Sequence, residues 1–198
     1  LNDDLSTTPL APLVTPDPLS YTEYNGNVYW TNKTTIGWLP SDSDEARPVG
    51  VPPPEVSPTL SVGSGALLPG KYAVVLTYLD DRREEGGATP VQIIDLPNGG
   101  GITLTGLPIR AGWAFRIYIT DPNGEIFHRA EEVPAVFPSY TITQTAQGGD
   151  CDTQFLIPMP PGEFITWLAG RLYTAKLGTL YFSEAMRPHL NNPAHGFI

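Results

Sequence analysis

The chain has 198 residues, room for one large or two small domains, and combines 22 Pro and 20 Gly with only 16% charged residues. That balance favours short strands joined by turns and disfavours long helices. The net charge of −10, with eleven Lys and Arg in all, leaves no basic patch for tight nucleic-acid binding, and no apolar run approaches the roughly 20 residues of a membrane-spanning helix. The expected class is soluble and all-β. A lone cysteine, Cys151, excludes an internal disulfide framework and a thiolate metal cluster. Asp150 and Asp152 beside it should raise its pKa and blunt its reactivity.

Residues 1–20 carry Pro9, Pro12, Pro16 and Pro18 with almost no periodicity, and read as an extended arm pinned at Leu10, Leu13 and Val14. Residues 21–55 hold a first β-hairpin, the acidic loop Ser41-Asp42-Ser43-Asp44-Glu45 and the stiff Val51-Pro52-Pro53-Pro54 linker. Within 56–158 seven strands are predicted: Thr59–Val62, Lys71–Leu79, Ala88–Ile94, Ile102–Thr105, Ala114–Thr120, Ile126–Val133 and Tyr140–Thr143. Seven short strands in about a hundred residues, punctuated by Leu68-Pro69-Gly70, Asn98-Gly99-Gly100-Gly101 and Asp121-Pro122-Asn123-Gly124, are the pattern of an Ig-like sandwich. Apolar residues fill both faces of Lys71–Leu79, which marks a central strand. Trp113 is the natural core plug. Residues 159–198 read as a second hairpin followed by an irregular tail from Arg187 onward.

The two hairpins are copies of one unit. Tyr24-Asn25-Gly26-Asn27-Val28-Tyr29-Trp30-Thr31-Asn32 aligns without a gap on Leu168-Ala169-Gly170-Arg171-Leu172-Tyr173-Thr174-Ala175-Lys176. The register continues through Thr35-Ile36 on Thr179-Leu180 and Trp38 on Phe182. Equivalent aromatics at Trp38 and Phe182 are expected to pack two blade-like sheets together, with the hairpins as neighbours. The chain opens on Leu1 with no signal peptide or lipidation motif before it. Either the start has been trimmed or this is a piece of a longer chain, and the repeat at both ends favours the second expectation.

No catalytic, cofactor-binding or metal-binding residue is expected. His189 and His195 lie six apart among prolines and asparagines, which is not metal-ligand spacing, and His128 reads as a structural strand residue. Ser183-Glu184 near His189 lacks a nucleophile elbow. The carboxylate pairs Asp3-Asp4, Asp80-Asp81, Glu84-Glu85 and Glu131-Glu132 are adjacent, and adjacent strand residues face opposite ways. Asp81-Arg82-Arg83-Glu84-Glu85 is internally neutralised and reads as a solvated hairpin tip. Gly63-Ser64-Gly65 and Gly99–Gly101 are turns, and Asn32-Lys33-Thr34 is a glycosylation sequon of low specificity. Trp30 and Trp167, if exposed on a β face, would stack on sugar rings.

Gly170-Arg171-Leu172-Tyr173-Thr174-Ala175 followed by Gly178-Thr179-Leu180-Tyr181-Phe182-Ser183-Glu184, with the tail Arg187-Pro188-His189-Leu190-Asn191-Asn192-Pro193, resembles the β-propeller hairpins of tailed-bacteriophage virion proteins. Gly50-Val51-Pro52-Pro53-Pro54, Gly70–Tyr78 with Glu84-Glu85-Gly86, and Arg116-Ile117-Tyr118 resemble the entry, first strand and later central strand of the Ig- or fibronectin-III-like domain inserted in that group. The resemblance implies an Ig/fibronectin-III-like β-sandwich between two propeller-blade pieces. Two hairpins cannot close a propeller of four or more blades; either further blades lie elsewhere, or both hairpins form one small sheet beneath the sandwich. The role implied is a non-enzymatic virion structural protein of the tail or head–tail junction, made in the bacterial cytoplasm. Its implied partners are other virion proteins, with itself in a ring as one form, and its acidic surface would let DNA slide past. Two other classes compete: a carbohydrate-binding or host-adhesion module using Trp30 or Trp167, and an accessory domain of a secreted hydrolase.

Overall fold

The computed structural model describes residues 17–198, of which none is helical. Most of the expected arm, residues 1–16, lies outside the described residues. Seventeen strands follow in chain order. The first four are β1 (Ser20–Tyr24), β2 (Asn27–Thr31), β3 (Ile36–Leu39) and β4 (Arg47–Pro48). Eight more are β5 (Thr59–Leu67), β6 (Gly70–Leu79), β7 (Glu85–Ala88), β8 (Gln92–Leu96), β9 (Gly100–Thr105), β10 (Ala114–Thr120), β11 (Phe127–Pro134) and β12 (Ser139–Ile142). The last five are β13 (Ile157–Pro158), β14 (Phe164–Leu168), β15 (Arg171–Lys176), β16 (Thr179–Glu184) and β17 (Arg187–Asn191). All ladders between them are antiparallel. The chain is all-β.

It divides into two units, one built from its two ends up to Gly50 and from Ile157, the other from Val51–Leu156. The inserted unit is a β-sandwich. Its larger sheet runs β11-β10-β6, with β7 and β8 end to end along the free edge of β6, and its smaller sheet runs β12-β9-β5. Alternation on β6 sends Tyr72, Val74, Leu76 and Tyr78 into the core between the sheets, where they meet Phe115, Ile117 and Ile119 of β10 and Ile102 and Leu104 of β9. The opposite face of the larger sheet buries Val75, Tyr118 and Phe127 in a second cluster. As its sequence indicates, β6 is central.

Three expectations change here. Ala88–Ile94 is two strands, not one: Thr89 exchanges hydrogen bonds with Leu76 through both its backbone and its hydroxyl, and Pro90, which has no N–H for a ladder, separates β7 from β8. Trp113 is a rim residue and not a plug; it is half-buried, edge-on to Tyr78, with the Arg110 guanidinium 3.4 Å above its ring. Val51, placed in a linker by its polyproline neighbourhood, is buried in the sandwich core.

The other unit contains the repeat, strand for strand. β1-β2-β3-β4 and β14-β15-β16-β17 are each a four-stranded meander, the second with β13 added outside β17. The registers coincide: Ser20 pairs with Thr31 as Phe164 pairs with Ala175, and Tyr29 with Trp38 as Tyr173 with Phe182. The first turns coincide as well. Asn25-Gly26 and Ala169-Gly170 all have positive φ, the two-residue turn that matches strand twist.

The tail is ordered, which corrects the irregular reading. Residues 187–191 form β17 against β16, and Pro188 falls in the register break between the Glu184–Arg187 and Ser183–Asn191 pairs, where no ladder N–H is needed. Beyond it the buried Asn191 amide donates to Phe182 O and Gly196 O, and Leu180 and Ile198 exchange two backbone hydrogen bonds.

Candidate functional site

The two repeat sheets share one core, and they use opposite faces to make it. The first sheet contributes the face bearing Ser20, Thr22, Tyr24, Tyr29, Ile36 and Trp38; the second contributes Ile165, Trp167 and Leu172. Their contacts are specific. Ser20 and Thr22 hydroxyls accept the backbone N–H groups of Ile165 (3.1 Å) and Trp167 (3.3 Å), and Tyr24 stacks on Trp167 with centroids 3.7 Å apart. The Thr31 hydroxyl donates to Gly162 O and accepts from Gly162 N–H, both at 2.9 Å. Tyr29 and Trp38 pack around His189, whose Nε2 lies 3.1 Å from the Tyr29 hydroxyl. Trp38 therefore packs as expected. Phe182 does not: it lies on the far face of the second sheet, beside Tyr173 and under the Arg171 guanidinium.

That far face is the strongest candidate surface. Phe164 and Leu168 are 66% and 62% exposed, Leu180 is exposed, and Tyr173 and Phe182 are half-buried between them. Strand alternation and register place all five on one side of the β14-β15-β16 sheet. Scattered apolar residues need no explanation, but a contiguous set on one sheet face marks an interaction surface. Aligning Ser20–Tyr24 on Phe164–Leu168, just ahead of the evident repeat, would have exposed it: Ser20 in the first copy gives way to Phe164 in the second, on the face that also carries Leu168.

A polar constellation lies on the outer face of the sandwich's larger sheet. Glu85 accepts hydrogen bonds from the Arg116 guanidinium, the Tyr118 hydroxyl and the Thr77 hydroxyl, all at 2.6 Å. Arg116 also reaches Glu132, which Arg83 grips in a two-pronged bond. Hydrogen bonds from Arg83, then Arg116, hold the Glu132 carboxyl below the usual range. Burial, reinforced by Glu85, pushes the Tyr118 hydroxyl well up. Glu85 is thus not part of a solvated tip; the tip proper is Asp80 to Glu84, where the Asp80 carboxylate accepts the N–H groups of Arg82 and Glu84. The charges are mutually satisfied, an arrangement that ties together four strands, β6, β7, β10 and β11. Arg116 within the apolar run Phe115–Ile119 was the signal for it.

No family model matches the chain, and no curated protein matches it.

The remaining candidates are engaged locally. His128 Nδ1 is 2.8 Å from Asp150, and His195 Nε2 is 3.7 Å from Glu184. Buried Ser183 donates to Glu184 O and accepts from Leu172 N–H. Glu131 and Glu132 turn opposite ways, one to the Tyr140 hydroxyl and one to the arginines. In the acidic loop the Ser43 hydroxyl accepts Glu45 N–H. Among the described residues no three His, Cys, Asp or Glu side chains converge on a point. Asn32 of the sequon is fully buried, accepting from Thr34 and Thr35. Trp30 is buried, its ring lying over Gly37, and Trp167 is stacked under Tyr24. Cys151 is pushed up to about 12, first by burial and next by Glu85, with the flanking Asp152 a minor contributor. The expected direction holds, but its main cause is different.

Proposed function

We propose that this chain is a non-enzymatic structural protein of a tailed-bacteriophage virion, a tail or head–tail junction component that assembles through β-surfaces. The observation that carries this reading is the pair of in-register four-stranded meanders stacked face to back, with an apolar face of the second left open. Four-stranded antiparallel meanders packed in this way are the building pattern of β-propeller blades, which fits the hairpin resemblance. The sandwich enters between the last strand of the first meander and the first long strand of the second. In this reading it is the Ig- or fibronectin-III-like insertion, and the charges buried on its sheet are structural. A protein with many β-surfaces and few basic residues suits a particle component that contacts proteins and does not grip DNA.

Mass spectrometry of purified virions from the source phage or induced prophage tests this directly. Peptides spanning the repeats should be present at a fixed copy number per particle. Their absence from intact particles would remove the virion assignment.

A further inference from the structure

The repeat carries information about a partner. In the contact between the two meanders, the Tyr29 face of the first copy meets the Ile165 face of the second. By register, the Ile165–Leu172 positions of the second copy correspond to Tyr21–Val28 of the first, and the Tyr29, Ile36 and Trp38 positions of the first correspond to Tyr173, Leu180 and Phe182 of the second. The contact is therefore heterologous, front to back. On the equivalent of the partner's face, the second copy exposes Phe164 and Leu168, and the first exposes Tyr21 and Glu23 beside the buried Trp30 and Gly37.

We infer that the open face of the second meander binds the outer face of the first meander in another copy of this chain, repeating between molecules the contact that already exists within one. The chemistry matches at the central apolar positions and differs around them, where Glu23, Trp30 and Gly37 stand in place of Trp167, Thr174 and Tyr181. Tyr173, Leu180 and Phe182 replace Tyr29, Ile36 and Trp38, aromatic for aromatic and aliphatic for aliphatic. Opposite them Tyr21, which is 73% exposed, and half-buried Val28 replace Ile165 and Leu172. Thr166 stands where Thr22 stands, so its hydroxyl can accept the Glu23 N–H as Thr22 accepts that of Trp167. Arg171, beside Phe182 and already donating to Ser183 O and near Glu184, places a cation on the face that Glu23 approaches. A heterologous contact never saturates in a dimer: it closes into a ring if its rotation allows and otherwise continues as a filament. The inference rests on the internal repeat and holds whether or not the protein belongs to a virion.

Sedimentation of the full chain over rising concentration tests it. The wild type should self-associate. Leu168→Arg, on the open face, and Tyr21→Arg, on the outer face of the first meander, should each weaken association by about thirtyfold or more. Both sites are exposed, and circular dichroism verifies that the variants fold; Phe164→Arg serves as a second open-face variant. An equimolar mixture of Leu168→Arg and Tyr21→Arg should recover a dimer that grows no further, since each partner retains one of the two surfaces. A wild type that stays monomeric throughout, variants that associate like the wild type, or a mixture that recovers nothing would each overturn the inference.

Discussion

Tyr29 and Tyr173 occupy the same position of the same hairpin, in the same register, opposite aromatic partners that also correspond. Tyr29 is buried against its neighbour sheet and bonded to His189; Tyr173 lies half-buried on an open face. The same holds for Trp38 and Phe182. Strand pairing is therefore equal at these positions in the two copies, and the difference in burial follows what is stacked on each. Such a pair separates the contribution of a blade's own ladder from that of its contact with the next blade.

Removing the contact should give the largest effect. Trp38→Ala is expected to cost about 3–5 kcal/mol, the usual range for truncating a buried large aromatic, whereas Phe182→Ala should cost about 1 kcal/mol or less. Urea unfolding followed by fluorescence reads this cleanly in a Trp113→Phe background, because Trp113 is the tryptophan of the sandwich and the others report on the repeat unit. Comparable losses at both positions would break the comparison. Next in size is Gly37→Ala, where a Cβ would lie 2.3 Å from the Trp30 ring. Overpacking should cost about 1–3 kcal/mol, although the equivalent Tyr181 of the second copy carries a full side chain without conflict. Tyr29→Phe, which deletes the hydroxyl facing His189, should cost about 1 kcal/mol; Tyr173→Phe should lie within about 0.5 kcal/mol of wild type. One small effect has the opposite sign. Ala169 sits at φ 48°, where the first copy has Asn25 at 51°. Ala169→Asn should raise stability by about 0.5–1 kcal/mol, since Asn tolerates the left-handed region better, and thermal unfolding should show it as a small upward shift in Tm.

Much of this was readable before any coordinates. The glycine turns and the tyrosine spacing located both repeat copies, and two-faced apolar alternation marked β6 as central. Which face of each copy is covered was not readable, because Val28 and Tyr29 in the first copy, and Leu172 and Tyr173 in the second, are apolar on both sides. Only long-range packing chooses between them. The strand at Arg187–Asn191 was hidden for a related reason. Proline, histidine and asparagine are poor strand formers, yet a register break absorbs Pro188 and the core of the repeat unit takes up His189. The Glu85 network escaped because its members come from three distant segments. Its one local sign was a charged residue, Arg116, in a strand otherwise suited to burial. The tryptophans left two readings open: Trp30 and Trp167 resemble sugar platforms in a bare strand, and only the packing shows their rings lying against Gly37 and Tyr24.

The central claim is that equivalent faces of the two copies differ in cover, and hydroxyl-radical footprinting of the dilute full chain, read by peptide mass spectrometry, tests it most directly. The account predicts rapid oxidation at Phe164 and Leu168 and strong protection at Tyr29 and Trp38. Equal protection of the two sets, or ready labelling of Tyr29 and Trp38, would contradict it.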